Sequence, residues 1–290
     1  MKKKYRYKKI GIYDWAINFL SIICAIIIIF AVVNKILSRQ IKISVKEKNV
    51  CAFEMPIKNF LKLQALSQKY NLPFSELITI YSLENNFFPD KSAIENENEI
   101  EQNLIINYAQ IKKKYNHHLL NQYSSMFKNI LAEIKYFPIA ADVCSENDLP
   151  YIYGDNCEQN FDNKIPPGCN IFDRENISGR IPIVSMTDGT IENINWNDSL
   201  GYNISVKTEN DDRYLYCHLE KFAQDLEQNK KISAGQLLGY MGNTKKESEH
   251  KFVHLHLCIN PKVNFAGKDF YINPYLFLRL AEPQKITLKK

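Results

Sequence analysis

Phe252-Val253-His254-Leu255-His256-Leu257 and, well upstream, Tyr214-Leu215-Tyr216-Cys217-His218-Leu219 decide how this chain is read, because together they hold three of its six histidines. Both segments alternate in the manner of β-strands. Successive strand side chains face opposite sides, so His254 and His256 project from one face. Two imidazoles on one face of a rigid strand can hold a divalent metal, or divide the work of ligand and general base. An isolated H-x-H is more cheaply a polar pair on the solvent side of a half-buried strand. The surrounding segments turn the reading toward a site.

Working outward, short runs rich in β-branched and aromatic residues recur: Ile181–Val184, Thr190–Ile194, Tyr202–Thr208, Arg213–Leu219, Gly235–Met241 and Phe252–Asn260. Asp188-Gly189, Leu200-Gly201, Ala234-Gly235 and Met241-Gly242 punctuate them. This texture predicts an antiparallel all-β domain. Pro138, Pro150, Pro166 and Pro167 make residues 138–170 read largely as loop.

Ahead of this domain the period changes to that of helices. Phe60, Leu63, Leu66 and Tyr70 recur at three to four residues, then Leu77, Ile80, Tyr81 and Leu83. A third helical pattern runs from Leu104 to Ile134, with His117 and His118 on its polar side. Glu84 closes an apolar helical stretch before Phe87, where an apolar pocket would suit a carboxyl to general-acid work. An amphipathic helix with a polar end explains it more cheaply.

Hydrophobic residues make up 45% of the 290, ample for a packed core. The net charge of +5 gathers in Lys2, Lys3, Lys4, Arg6, Lys8 and Lys9, so no nucleic-acid surface is indicated. Directly after them, Ala16 to Val33 is almost wholly apolar. About twenty such residues span a hydrocarbon core, and no small-x-small cleavage site follows. The expectation is an uncleaved anchor, with the basic end cytoplasmic and the C-terminal region outside. Of seven cysteines, Cys24 falls in this span; the other six can pair in an oxidising exterior or remain thiols.

The order of the C-terminal segments resembles the lysostaphin/LytM-type peptidases, family M23, which cut peptide cross-links in bacterial cell walls. The matching pieces are Ile181–Ile191 with its Asp188-Gly189 turn, Tyr216-Cys217-His218-Leu219, Ser233–Gly242, His254-Leu255-His256 and Asn273-Pro274-Tyr275. The resemblance covers roughly residues 165–280. It implies zinc bound by the second His of H-x-H with a His and an Asp four residues apart. By position His256 would be the ligand, and His254 and His218 would assist the attacking water. Three ligands leave an open position, where zinc lowers the pKa of bound water toward about 7.

The sequence departs from the family at the other two ligands. Pro166 stands where the His is expected, and Asn170 where the Asp is expected. Asparagine offers zinc only a neutral carbonyl oxygen. Cys169, Asp173 and Cys258 are possible substitute ligands, although a three-residue shift reverses side-chain facing in an extended segment.

The expected fold is thus a mainly β, LytM-type C-terminal domain of antiparallel sheets, preceded by a small α-helical region and an N-terminal transmembrane helix. The expected layout is a basic segment (1–15), anchor (16–37), stalk (38–52), helical region (53–137) and β-domain with its leading loop (138–290). The resemblance and the substitutions together imply an extracytoplasmic cell-envelope protein without catalytic activity, with zinc absent or weakly bound. Its implied partners are peptidoglycan or another envelope protein. The competing expectation is a zinc endopeptidase with substituted ligands, cutting peptidoglycan cross-links.

Overall fold

The computed structural model describes residues 51–52, 55–85, 100–145, 148–154, 165–244, 252–263 and 270–288, together with Ile23, Ile27 and Ile28. Those three isoleucines are helical and exposed. The remainder of the expected anchor and most of the stalk lie outside the described residues. Among the described residues, no helix is long and apolar enough to cross a membrane. Val45–Lys290 is one compact unit, so its helices and its sheet are treated together.

Helix α1 (Ile57–Tyr70) buries Phe60, Leu63 and Leu66 of the stripe its periodicity predicts, leaves Tyr70 exposed in its last turn, and ends where Asn71 turns left-handed. Helix α2 (Phe74–Glu84) starts after Pro73 and is buried from Leu77 to Leu83, which makes it the centre of the helical part. The single third helix predicted from the sequence is in fact divided. A π-helical turn (Gln102–Ile106) leads into α3 (Tyr108–Lys114), and α4 (His117–Glu133) starts afresh. The break has a local cause: Asn116 leaves the helical backbone region and its side chain accepts a hydrogen bond from His118 N, a standard N-cap. Leu120, Tyr123, Met126, Phe127 and Ile130 then form the buried stripe of α4, which packs on α2.

The strands are β1 (Cys51–Ala52), β2 (Tyr151–Tyr153), β3 (Cys169–Asp173), β4 (Pro182–Val184), β5 (Gly189–Asn197) and β6 (Gly201–Lys207). They continue with β7 (Arg213–Phe222), β8 (Lys231–Ile232), β9 (Leu237–Met241), β10 (His254–Asn260) and β11 (Tyr271–Ile272). They join one sheet of path β1-β11-β10-β7-β6-β5-β8, with β3 also on β10, β2 on β3, and β9 linking β7 to β4. Every pairing is antiparallel except that of β1 with β11. Strands β2 and β3 therefore fall within or at the end of the stretch read as loop. Their short length and the intervening prolines hid them.

Helix α5 (Pro274–Ala281) was not anticipated either, although its start is signalled by Pro274 at its first position and Asn273 capping Tyr275 N. Phe277 on α5 meets Phe60 on α1 edge to face at 5.9 Å, and α5 also packs on β10, so α5 links the helical part to the sheet. A polar tie lies at the end of α4. Glu133 accepts from Thr208 Oγ1 (2.7 Å), Asn210 Nδ2 (2.8 Å) and the Tyr214 hydroxyl (3.2 Å). Asp212, buried in the β6–β7 turn near the same carboxyl, accepts from Lys262 N at 2.9 Å through Oδ1, while its Oδ2 is buried without a hydrogen-bond partner. Burial pushes Asp212 up to about 7; the Lys262 N–H opposes the shift and the Glu133 charge adds to it.

Candidate functional site

Strand β10 lies between β3 and β7, and its register fixes what each histidine meets. His256 stands opposite Asn170 of β3 on one side and Cys217 of β7 on the other. By strand alternation His218 would face away from this row. Its backbone, however, takes a left-handed φ of 64°, and its N–H leaves the ladder to bond Leu200 O at 2.9 Å. The register of β7 is irregular on both neighbouring strands around this point. A bulge of this kind re-aims a side chain, and strained backbone in non-glycine residues concentrates at functional sites. The His218 ring thereby comes 4.7 Å from that of His254 and 6.0 Å from that of His256, centroid to centroid.

All three imidazoles are buried, so their hydrogen bonds matter. His254 Nδ1 lies 2.7 Å from Phe252 O, and a carbonyl can only accept. Nδ1 therefore carries the proton, and in the neutral ring the acceptor lone pair is on Nε2. Phe172 of β3 stacks on the same ring at 5.3 Å and holds its plane.

His256 has both nitrogens engaged: Nδ1 is 2.6 Å from the Asn170 carboxamide and Nε2 is 2.8 Å from Pro166 O. The Pro166 carbonyl requires a proton on Nε2. Neutral His256 then accepts at Nδ1 from the Asn170 amide, which can turn to present its N–H. Sequence alignment thus brings Pro166 and Asn170 to the nitrogens of His256, but what they bring is a backbone carbonyl and a neutral carboxamide. Gly168 between them permits the close approach. A Cβ there would lie 2.4 Å from Leu257 O, 2.8 Å from Cys258 Sγ and 2.9 Å from His256 Cε1.

Of the possible substitute ligands, Asp173 and Cys169 are engaged elsewhere and Cys258 lies beside His256 on the same Pro166 carbonyl. The Asp173 carboxylate accepts from Glu175 N (3.0 Å) and Ile177 N (3.1 Å) and pairs with Arg180. Cys169 donates to Gly154 O at 3.5 Å, on the face of β3 opposite to Asn170. Cys258 Sγ lies 3.7 Å from Pro166 O. Cys144, Cys169, Cys217 and Cys258 stand as thiols.

A catalytic zinc needs about three N, S or carboxylate donors converging on one point. Here one imidazole with both nitrogens engaged faces two neutral carbonyl groups. No group of three His, Cys, Asp or Glu residues among the described residues could hold a metal ion. The donor set does not fit the metal.

Around the histidines runs an aromatic rim that sequence reasoning missed. Trp196 and Tyr202 pair across the β5–β6 hairpin and are exposed. Trp196 Nε1 donates to Thr244 O (3.0 Å), and Tyr202 N donates to Thr244 Oγ1 (2.9 Å), which in turn donates to Leu219 O beside His218. Phe252, 66% exposed, meets Phe172 edge-on at the other end. Exposed aromatics in strands of mixed polarity carry no pattern of their own; only the fold gathers them.

Comparison with known proteins follows this geometry. Residues 173–269 match the model of peptidase family M23. The matched stretch includes His218, His254 and His256 and begins after Pro166 and Asn170. A crystal structure from Ruminococcus gnavus ATCC 29149, assigned as a glycyl-glycine endopeptidase LytM, is similar at 25% identity and TM-score 0.57. That likeness covers 81% of this chain and 90% of the other, so it takes in helices as well as sheet. Lysostaphin, the antimicrobial peptidase of Staphylococcus simulans, is 21% identical with TM-score 0.36, over 46% of this chain and 50% of that one. Endolysin 2638A of Staphylococcus phage 2638A is 28% identical over 80 residues, which span 28% of this chain and 16% of the endolysin.

Proposed function

From the match of residues 173–269 to the model of peptidase family M23, we propose a cell-envelope protein that uses the family's cleft for binding and not for hydrolysis. The observation that carries this reading is the state of His256. Its two nitrogens are held at 2.6 Å by Asn170 and at 2.8 Å by Pro166 O, so the two groups that face it are hydrogen-bond partners instead of zinc ligands. Family M23 is zinc-dependent; bound zinc supplies the activated water, whereas unassisted water keeps a pKa near about 15.7. His218 and His254 remain beside the cleft, where they can exchange hydrogen bonds with a bound chain.

The ligand that suits this cleft is peptidoglycan or an extended segment of another envelope protein. Trp196, Tyr202 and Phe252 offer apolar contact with a polar handle for the first two. The apolar run from Ala16 to Val33 and its basic flank support anchoring with the C-terminal region outside. Protease shaving of intact cells then removes the C-terminal unit; its protection would reverse the orientation.

The binding reading is tested by incubating the chain with purified peptidoglycan and zinc. It co-sediments with the polymer, releases no new amino termini, and loses most of its retention in a Trp196→Ala/Phe252→Ala variant. Zinc-dependent cleavage, abolished by chelation and by His254→Ala, would establish the endopeptidase instead.

A further inference from the structure

The helical part of the chain contains a cavity of about 650 Å³ that shares no residue with the histidine cleft. Its volume is in the range of small-molecule sites, roughly 300–1,000 Å³. Ile111 gives it a partly exposed apolar side, backed by the buried Tyr81 and Ile100, and Asn59 Nδ2 fixes the Tyr81 hydroxyl at 2.6 Å. One wall presents Asn103, Asn107, Gln110 and Lys114. These recur three to four residues apart, the spacing of a single helical face, across the π-helical turn and α3. Single π turns inside helices are frequent at functional sites, and this one sets the direction of Asn103. Across the mouth, Asn85 Nδ2 is tied to Tyr81 O at 2.9 Å.

The charges at this site cancel. Glu84 accepts from Lys114 Nζ at 3.0 Å and from the Tyr115 hydroxyl at 2.5 Å. A metal cation would have to displace Lys114, and an anion would meet Glu84. Nor does Glu84 serve as the general acid its sequence position suggests, since its oxygens already act as acceptors. A wholly apolar ligand would strip water from the carboxamides without replacing it, at about 1–3 kcal/mol for each group left unsatisfied. The lining instead suits a neutral molecule with an apolar face for Ile111 and many hydroxyl or amide groups for the wall. Pyranose rings have such faces. Acetamido substituents add the paired donor and acceptor that a carboxamide matches in plane.

We infer that this cavity binds a neutral oligosaccharide carrying acetamido groups, independently of what the histidine cleft binds. The full chain, in detergent, is titrated calorimetrically with tri-N-acetylchitotriose. Saturable binding is expected, weakened about tenfold or more in Asn103→Ala/Gln110→Ala, which removes two hydrogen-bonding side chains. Should that variant fail to fold, Asn107→Asp takes its place with the same expected loss. Maltotriose, which lacks acetamido groups, binds at least about tenfold more weakly. Absence of saturable binding, equal binding of maltotriose or of triglycine, or loss in Trp196→Ala with retention in the double variant would each overturn the inference.

Discussion

The histidine cleft and the helical cavity treat their polar groups in opposite ways. In the cleft three buried imidazoles are carried on neighbouring strands, and the ring nitrogens that can be followed end on fixed partners: His254 on Phe252 O, His256 on Asn170 and Pro166 O. In the cavity the carboxamides of Asn103 and Gln110 are exposed on a helical face, and the one ion pair closes on itself at the mouth. In the cleft a left-handed backbone aims His218, and the two groups at the nitrogens of His256 are a neutral carboxamide and a backbone carbonyl. The cavity shows a binding surface with no strained backbone at all among its named residues. Backbone geometry and donor chemistry are separate properties of a site, and it is the donors that decide whether a metal is held.

The largest effect that would sharpen this contrast is restoration. Pro166→His with Asn170→Asp should raise zinc affinity by two orders of magnitude or more, since loss of supporting groups alone costs roughly 10–100-fold. Equilibrium dialysis measures it, and an unchanged affinity would mean that the cleft itself has been remodelled. Next in size, His256→Ala should destabilise the chain by about 2–3 kcal/mol in urea unfolding. It removes a buried ring together with its hydrogen bonds to the Asn170 carboxamide and the Pro166 carbonyl. A stability change near zero would show that His256 is kept for a ligand and not for the fold.

A smaller effect follows from the carboxyl pair that joins α4 to the sheet. Asp212 faces Glu133 and the Lys262 N–H, with Asp211 beside it already paired to Lys262 Nζ at 2.5 Å. Its folded pKa of about 7 lies above the unfolded value, so the folded chain holds an extra proton in between. The stability this group contributes is fully present below about pH 4 and is lost as pH rises to about 7. The free energy of unfolding should fall by about 2 kcal/mol between about pH 5 and 7, and Asp212→Asn should flatten that slope. Smallest is Glu84→Gln, which breaks a largely exposed pair with Lys114; thermal unfolding should register under about 1 kcal/mol. A larger loss would make Glu84 a structural keystone of the helices and weaken the case for an open binding site.

Much of this was legible in the sequence where period and punctuation agree. The six β-runs from Ile181 to Asn260 all became strands, and the α1 face fell where its periodicity put it except at Tyr70, which is exposed, while α2 is buried on every side. The alignment that set Pro166 and Asn170 against His256 rested on a glycine-bearing motif, and Gly168 is where that segment comes too close to β10 for any Cβ. Other features had no such signal. Three-residue strands such as β2 give alternation nothing to show. The break at Asn116 depends on one cap within an otherwise continuous apolar stripe. The left-handed turn that aims His218, a residue in a strand-like run, is visible only in the backbone.

The central claim concerns the metal, and zinc content of the purified native chain tests it most directly. After exposure to excess zinc and dialysis, the chain should retain well under one zinc per molecule, and His256→Ala should not alter that value. One zinc held tightly per chain, and lost on His256→Ala, would contradict the account.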